Sequence, residues 1–134
     1  MKISAKFASG ALLLASVTLA GCVTIKGSSA TPEEARAEYL RTSTQIALAQ
    51  GVADRCSEYR FNSEASEMLY GLASDLADRE YVGADRRAEL RLQAKATASD
   101  AIALQQGLGE TELCNQIPVW MSDGSIDPTL LITL

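Results

Sequence analysis

Residues 31–56 read TPEEARAEYLRTSTQIALAQGVADRC, and this stretch decides the fold. Thr31 is placed to cap the first free amide, Pro32 suits the first helical position, and Glu34 completes a capping box. Glu33 and Glu34 also sit at the helix's positive end. Beyond this start, Ala35, Tyr39, Thr42, Ile46, Ala49, Ala53 and Cys56 recur at alternating spacings of four and three. Such spacing is one face of a helix. The stripe turns small at Ala49 and Ala53, which lets a neighbouring helix come close, while Val52 adds bulk beside it. Arg36, Glu38, Arg41, Gln45, Asp54 and Arg55 fall largely off the stripe. Gly51 weakens the helix by about 1 kcal/mol relative to alanine and permits a close crossing or a bend.

Working towards the C-terminus, Asn62 or Ser63 is the cap of a second helix carrying Ala65, Met68, Leu69, Leu72, Ala73 and Leu76 on its apolar face. Residues 81–85 break it, with Gly83 tolerating positive φ and Asp85 able to cap the next helix. That third helix carries Leu90, Ala94, Thr97, Ala101, Leu104 and Leu108, and Gly107 and Gly109 stop it. Three amphipathic helices with short links predict an all-α domain, a small antiparallel three-helix bundle running up, down and up. No strand pattern competes. After Gly109 a short helical turn is expected at 111–114, with Pro118 limiting its extension. Ile117, Val119, Trp120 and Met121 are apolar, Asp123-Gly124 is a turn signal, and residues 128–134 end the chain in a greasy run. That run either packs back on the bundle or forms a partner-binding strip, and packing is expected because exposed apolar segments aggregate.

Working towards the N-terminus, residues 23–30 include Lys26, Gly27, Ser28 and Ser29, small or polar residues that make a tether. Before them Lys2 and Lys6 precede an apolar run, Ala8 to Leu19, too short to span a bilayer as a permanent helix. The run closes on Leu19-Ala20-Gly21-Cys22. This segment closely resembles the lipobox of bacterial lipoproteins. The resemblance implies a diacylglycerol on the Cys22 sulfur, cleavage before Cys22 and acylation of the new N-terminus. The expected organisation is a signal peptide over 1–21, a lipidated cysteine and flexible tether over 22–31, and a helical domain over 32–134. Two or more acyl chains anchor firmly where one holds only marginally, each buried methylene contributing about 0.8 kcal/mol. Membrane lipid is thus the first expected partner. Val23 stands where an Asp commonly retains lipoproteins in the inner membrane, so the resemblance implies the outer membrane, facing the periplasm. Eight extended tether residues reach at most about 28 Å, which holds the domain close to its membrane.

Cys56 and Cys114 remain once Cys22 is assigned to lipid. An even pair in a small exported domain meets an oxidising compartment and is expected to form a disulfide. The up-down-up order serves that bond by bringing the C-terminal ends of helices one and three to the same side. No metal site is expected, because the chain has no histidine and the two cysteines lack paired zinc-ligand spacing. A C-x-x-C redox motif is also missing.

Loss of Lys2 and Lys6 moves the formal charge from −5 to −7, which makes polyanions poor partners. Arg79, Arg86, Arg87 and Arg91 are the nearest approach to a basic patch and read as a solvated helix face, so no nucleic acid binding is expected. No catalytic residue and no cofactor is expected either. Histidine, the commonest proton-transfer residue, is missing, and Ser57-Glu58 and Ser63-Glu64 read as a helix end and a helix start. Gly71 and Gly83 form no phosphate loop.

The order of helix, Cys56, the aromatic pair Tyr59 and Phe61, two helices and Cys114 resembles small exported two-cysteine helical domains of unassigned function. The functional expectation is a non-enzymatic lipoprotein that acts by contact with an envelope protein. The alternative is a stress- or acid-responsive periplasmic chaperone-like binder, since an acidic domain nears neutrality at its pI of about 4.7.

Overall fold

The computed structural model describes residues 30–80 and 83–134. The signal segment, Cys22, all but the last residues of the tether, and Tyr81-Val82 of the expected break lie outside the described residues. Within them the chain folds into four α-helices, a 3-10 turn and a two-stranded sheet: α1 Pro32–Arg55, β1 Tyr59–Phe61, α2 Ser63–Glu80, α3 Ala84–Gln106, α4 Glu110–Ser122, the turn Pro128–Leu130, and β2 Leu131–Thr133. The fold is mostly helical, but the expected three-helix bundle is corrected to four helices with a small sheet.

Helix α1 starts as its sequence dictates. The Thr31 N–H donates to Glu34 Oε2 at 2.8 Å, and the Glu34 N–H donates to Thr31 Oγ1 at 3.2 Å. It is the central helix, packing against α2, α3 and α4. That position widens its buried face beyond one stripe. Gln45 and Val52 are buried, while Ile46 and Ala53 of the expected stripe are half-buried at its edge. Gln45 is not an off-stripe polar residue: its Nε2 donates to the Gly124 carbonyl at 2.7 Å, so the buried amide is satisfied.

The up-down-up path holds. Near one end Arg36 Nε donates to Gln93 Oε1 at 2.9 Å, and near the other Gln105 Nε2 donates to the Leu48 carbonyl at 2.9 Å, so α1 and α3 run parallel. Helix α2 runs back between their levels, its Ala73 and Ala77 packed with Tyr39 of α1 and with Leu90 and Ala94 of α3. Small residues let α2 lie close to α1. The same rotation turns Met68 and Leu72 out to solvent, against their expected place in the core. Leu104 of α3 is likewise exposed, and Gln105 takes the buried place beside it.

The second core lies at the other end of the bundle, where Val52, Cys56, Leu113, Ile117, Ile126 and Leu130 pack together. Helix α4 continues through Pro118, contrary to expectation. An interior proline costs a helix about 3 kcal/mol, but Leu113 and Ile117 are fully buried on α4 with Trp120 and Met121 packed against them, and that burial outweighs it. The greasy tail packs back, as expected, and does so partly as a strand. Tyr59, Arg60 and Phe61 pair antiparallel with Thr133, Ile132 and Leu131. The half-buried, exposed, half-buried alternation of Tyr59-Arg60-Phe61 is a strand pattern, though three residues are too few for periodicity to register.

Candidate functional site

The end of the bundle where α1 and α3 finish concentrates the chain's specific chemistry. Cys56, the C-cap of α1, is bonded to Cys114 of α4, with a Cα separation of 5.8 Å. This is the expected pairing. Cys56 is buried and Cys114 half-buried, so the bridge seals the edge of the second core. Cys22 lies outside the described residues.

Arg55, Gln105 and Asn62 organise this end, the first two in roles that the sequence does not announce. Arg55 donates from Nη1 to the Gln105 carbonyl and from Nη2 to the Leu108 carbonyl, both at 2.8 Å. It thereby takes up carbonyls at the end of α3, where a cation also meets the negative end of the helix dipole. Gly107 has φ of −73°, so no left-handed glycine cap closes α3, and Gly109 instead serves as the N-cap of α4. Gly51 leaves room for the Gln105 side chain, whose carboxamide oxygen a Cβ at position 51 would meet. Asn62 joins three elements, its Oδ1 accepting from the Ala65 N–H at 3.2 Å and its Nδ2 donating to the Thr129 carbonyl at 3.0 Å. Asn62, rather than Ser63, is the cap of α2. No local sequence signal marks Gln105 or Arg55, whose partners are some fifty residues away.

The other residues singled out in the sequence do not converge. Ser57, Glu58, Ser63 and Glu64 are all exposed, and no group of three or more potential metal ligands occurs among the described residues. Arg87 pairs with Asp78, and Arg86 lines a cleft with Arg36, Glu89, Leu90 and Gln93, so the arginines are interleaved with carboxylates. Gly83 adopts φ of 122° at the start of α3, as the expected break requires, while Asp85 sits inside the first turn without capping it.

One cleft is distinctly apolar. Leu48, Ala101, Leu104, Leu108, Trp120 and Ser125 line about 350 Å³ between α1, α3 and the end of α4. Asp123, hydrogen-bonded to the cleft's Ser125, has its carboxyl held below the usual carboxylate range by the Ser125 hydroxyl and backbone N–H.

At the opposite end of the bundle, Tyr39 and Tyr70 share a hydroxyl hydrogen bond of 2.8 Å. Burial, then that bond and the neighbouring Tyr70 charge, push the Tyr39 phenol up to about 12. A phenol with a raised folded pKa contributes stability that is fully present below pH 10 and is lost as pH rises through about 12. Absorbance titration near 295 nm should therefore show one late tyrosine, and Tyr70→Phe should bring it earlier. A single transition for all the tyrosines near pH 10 would refute the arrangement.

No family model matches the chain, and no curated protein or solved structure is detectably similar to it.

Proposed function

We propose that the chain is a membrane-anchored bacterial lipoprotein whose small helical domain is non-catalytic and acts by contact with another envelope protein from the periplasmic face of the outer membrane. The Leu19-Ala20-Gly21-Cys22 lipobox carries this reading. The disulfide supports it: bonding of Cys56 to Cys114 leaves Cys22 as the remaining cysteine, and such a bond suits an oxidising compartment. The geometry is also compatible with a tethered spacer. Helix α1 follows the tether, and its 24 residues at 1.5 Å each separate the tether end from the disulfide end by about 36 Å.

The direct test is Cys22→Ser in the native host. Acyl labelling should disappear and the uncleaved precursor should accumulate, whereas a labelled, matured product would refute lipidation at Cys22. Fractionation of the wild-type chain tests the membrane, and Val23→Asp should move it from the outer to the inner membrane in a diderm host. The acid-responsive chaperone reading is the weaker one. Among the described residues two ion pairs occur, Glu38–Arg41 and Asp78–Arg87, both between well-exposed side chains. Exposed pairs contribute little, so breaking them in acid would release few contacts.

A further inference from the structure

The end of the bundle that follows the tether holds a cleft whose own lining is charged. About 280 Å³ lies between the starts of α1 and α3, lined by Arg36, Arg86, Glu89, Leu90 and Gln93. Leu90 is buried, and the three charged side chains are exposed. Gln93 fixes their arrangement. Its Oε1 accepts from Arg36 Nε at 2.9 Å and its Nε2 donates to Glu89 Oε1 at 3.2 Å, so the amide stands between cation and carboxylate. The ion pairs among the described residues are Glu38–Arg41 and Asp78–Arg87, which leaves both Arg36 and Arg86 without a carboxylate partner there. Two such guanidiniums on one small cleft suit an oxyanion, and guanidinium takes phosphate through paired, charge-assisted hydrogen bonds. Helix α3 adds to this, because no side chain among the described residues caps its first turn and the positive end of its dipole lies beside Arg86.

The tether says where phosphate would come from. Arg36 lies in the second turn of α1, about 6 Å along the axis from Pro32. Helices α1 and α3 run parallel, so Arg86 stands at the same end. Eight tether residues reach at most about 28 Å, which keeps the cleft beside the leaflet that holds Cys22. Tethering gives lipid headgroups a high local concentration there, and a weak site is then filled. Seven of the nine cations among the described residues lie at this end, on α1 up to Arg41, the last turns of α2, and α3 up to Lys95. The other two are Arg55, engaged by α3 carbonyls, and Arg60. Carboxylates share the tether end, and Glu89 is part of the cleft itself, so the lining matches a headgroup that carries both signs.

We propose that this cleft binds a zwitterionic phospholipid headgroup, its phosphodiester held between Arg36 and Arg86 and its ammonium meeting Glu89. The proposal rests on the lipoprotein reading and adds a second contact with the membrane, one that turns the disulfide end away from the lipid.

The full lipidated chain, taken from its native host, is inserted into vesicles of an uncharged digalactosyl lipid, alone or mixed with phosphatidylethanolamine or phosphatidylglycerol. Phenylglyoxal then modifies exposed arginines, and mass spectrometry follows each one. Arg36 and Arg86 should react about fivefold more slowly when phosphatidylethanolamine is present, while Arg60 at the far end is unchanged. Nearness to a bilayer shields equally in the phosphate-free vesicles, so it does not account for that difference. Arg36→Gln should restore the reactivity of Arg86, since one phosphate is held by both, and at this exposed position the variant should keep the wild-type melting temperature. Phosphatidylglycerol should protect less, because it gives Glu89 no ammonium. Equal rates with and without phosphatidylethanolamine, protection by phosphatidylglycerol as strong, or Arg86 still protected in Arg36→Gln would overturn the proposal. Equal protection by inorganic phosphate over digalactosyl vesicles would overturn it too, by making the site one for free phosphate. A chain that fails to float with the vesicles would remove the lipoprotein reading itself, whereas a floating chain with Arg36 and Arg86 unprotected would remove only the headgroup site.

Discussion

Cys56→Ser and Cys114→Ser should each lower stability by about 4 kcal/mol, and the double variant should cost little more than either alone. The bridge closes a sequence separation of 58 residues, for which loop-entropy arguments give a cost of this size, with measured losses for native bridges running about 2–5 kcal/mol. Domains of this size have only about 5–15 kcal/mol in all, so the melting temperature should fall by roughly 15–30 °C. The two single variants should be nearly equal because each removes the same covalent constraint, and their effects should not add because the second substitution has nothing further to break. Denaturant titration adds a second signature: the reduced unfolded chain is less constrained and exposes more surface, so the m-value should rise. Additive losses, or an unequal pair of losses differing by several kcal/mol, would mean that the serines act through local packing rather than through the bond. Thiol titration of the native domain should find neither Cys56 nor Cys114 reactive.

The parts of this fold that depend on local chemistry were legible. The capping box at Thr31 and Glu34, the helical spacing from Ala35 to Cys56, and the break at Gly83 each rest on residues within a few positions of one another. The pairing of Cys56 with Cys114 was legible for a different reason, since only one intramolecular partner remained for each. Illegible features depend on distant partners. Nothing near Gln105 announces that it will be buried over Gly51 while Leu104 faces water; the two positions swap roles because α3 is rotated to bring its C-terminal carbonyls to Arg55. Likewise Met68 and Leu72 look like core on a helical wheel, yet Ala73 and Ala77 win the contact with α1 because they allow the closer approach. The end of α4 was obscured by Pro118, where tertiary burial overrode a strong local preference. The apolar cleft at Trp120 was not legible, because its walls come from three helices.

Removal of residues 126–134 should unfold the half of the domain that holds the disulfide. Ile126 and Leu130 are fully buried and Leu131 nearly so, and burying each such side chain contributes about 1.5–3 kcal/mol. Their summed loss is comparable to the whole stability of a domain this small. Further contacts go with them. The Asn62 N–H donates to the Leu130 carbonyl at 2.9 Å and the Leu134 N–H to the Glu58 carbonyl at 2.9 Å, so the deletion strips β1 of its only pairing among the described residues. Leu130→Ala alone should cost about 2–5 kcal/mol, as a fully buried leucine does when a cavity is left behind. Leu134→Ser, at a position 74% exposed, should stay within about 0.5 kcal/mol of wild type. The ordering is what matters: a large loss at 130, almost none at 134, and collapse of near-ultraviolet dichroism around Trp120 on deletion. A truncated chain that keeps its melting temperature and its Trp120 signal would show that the tail is not part of the core. Its apolar residues would then be free to serve as a binding strip.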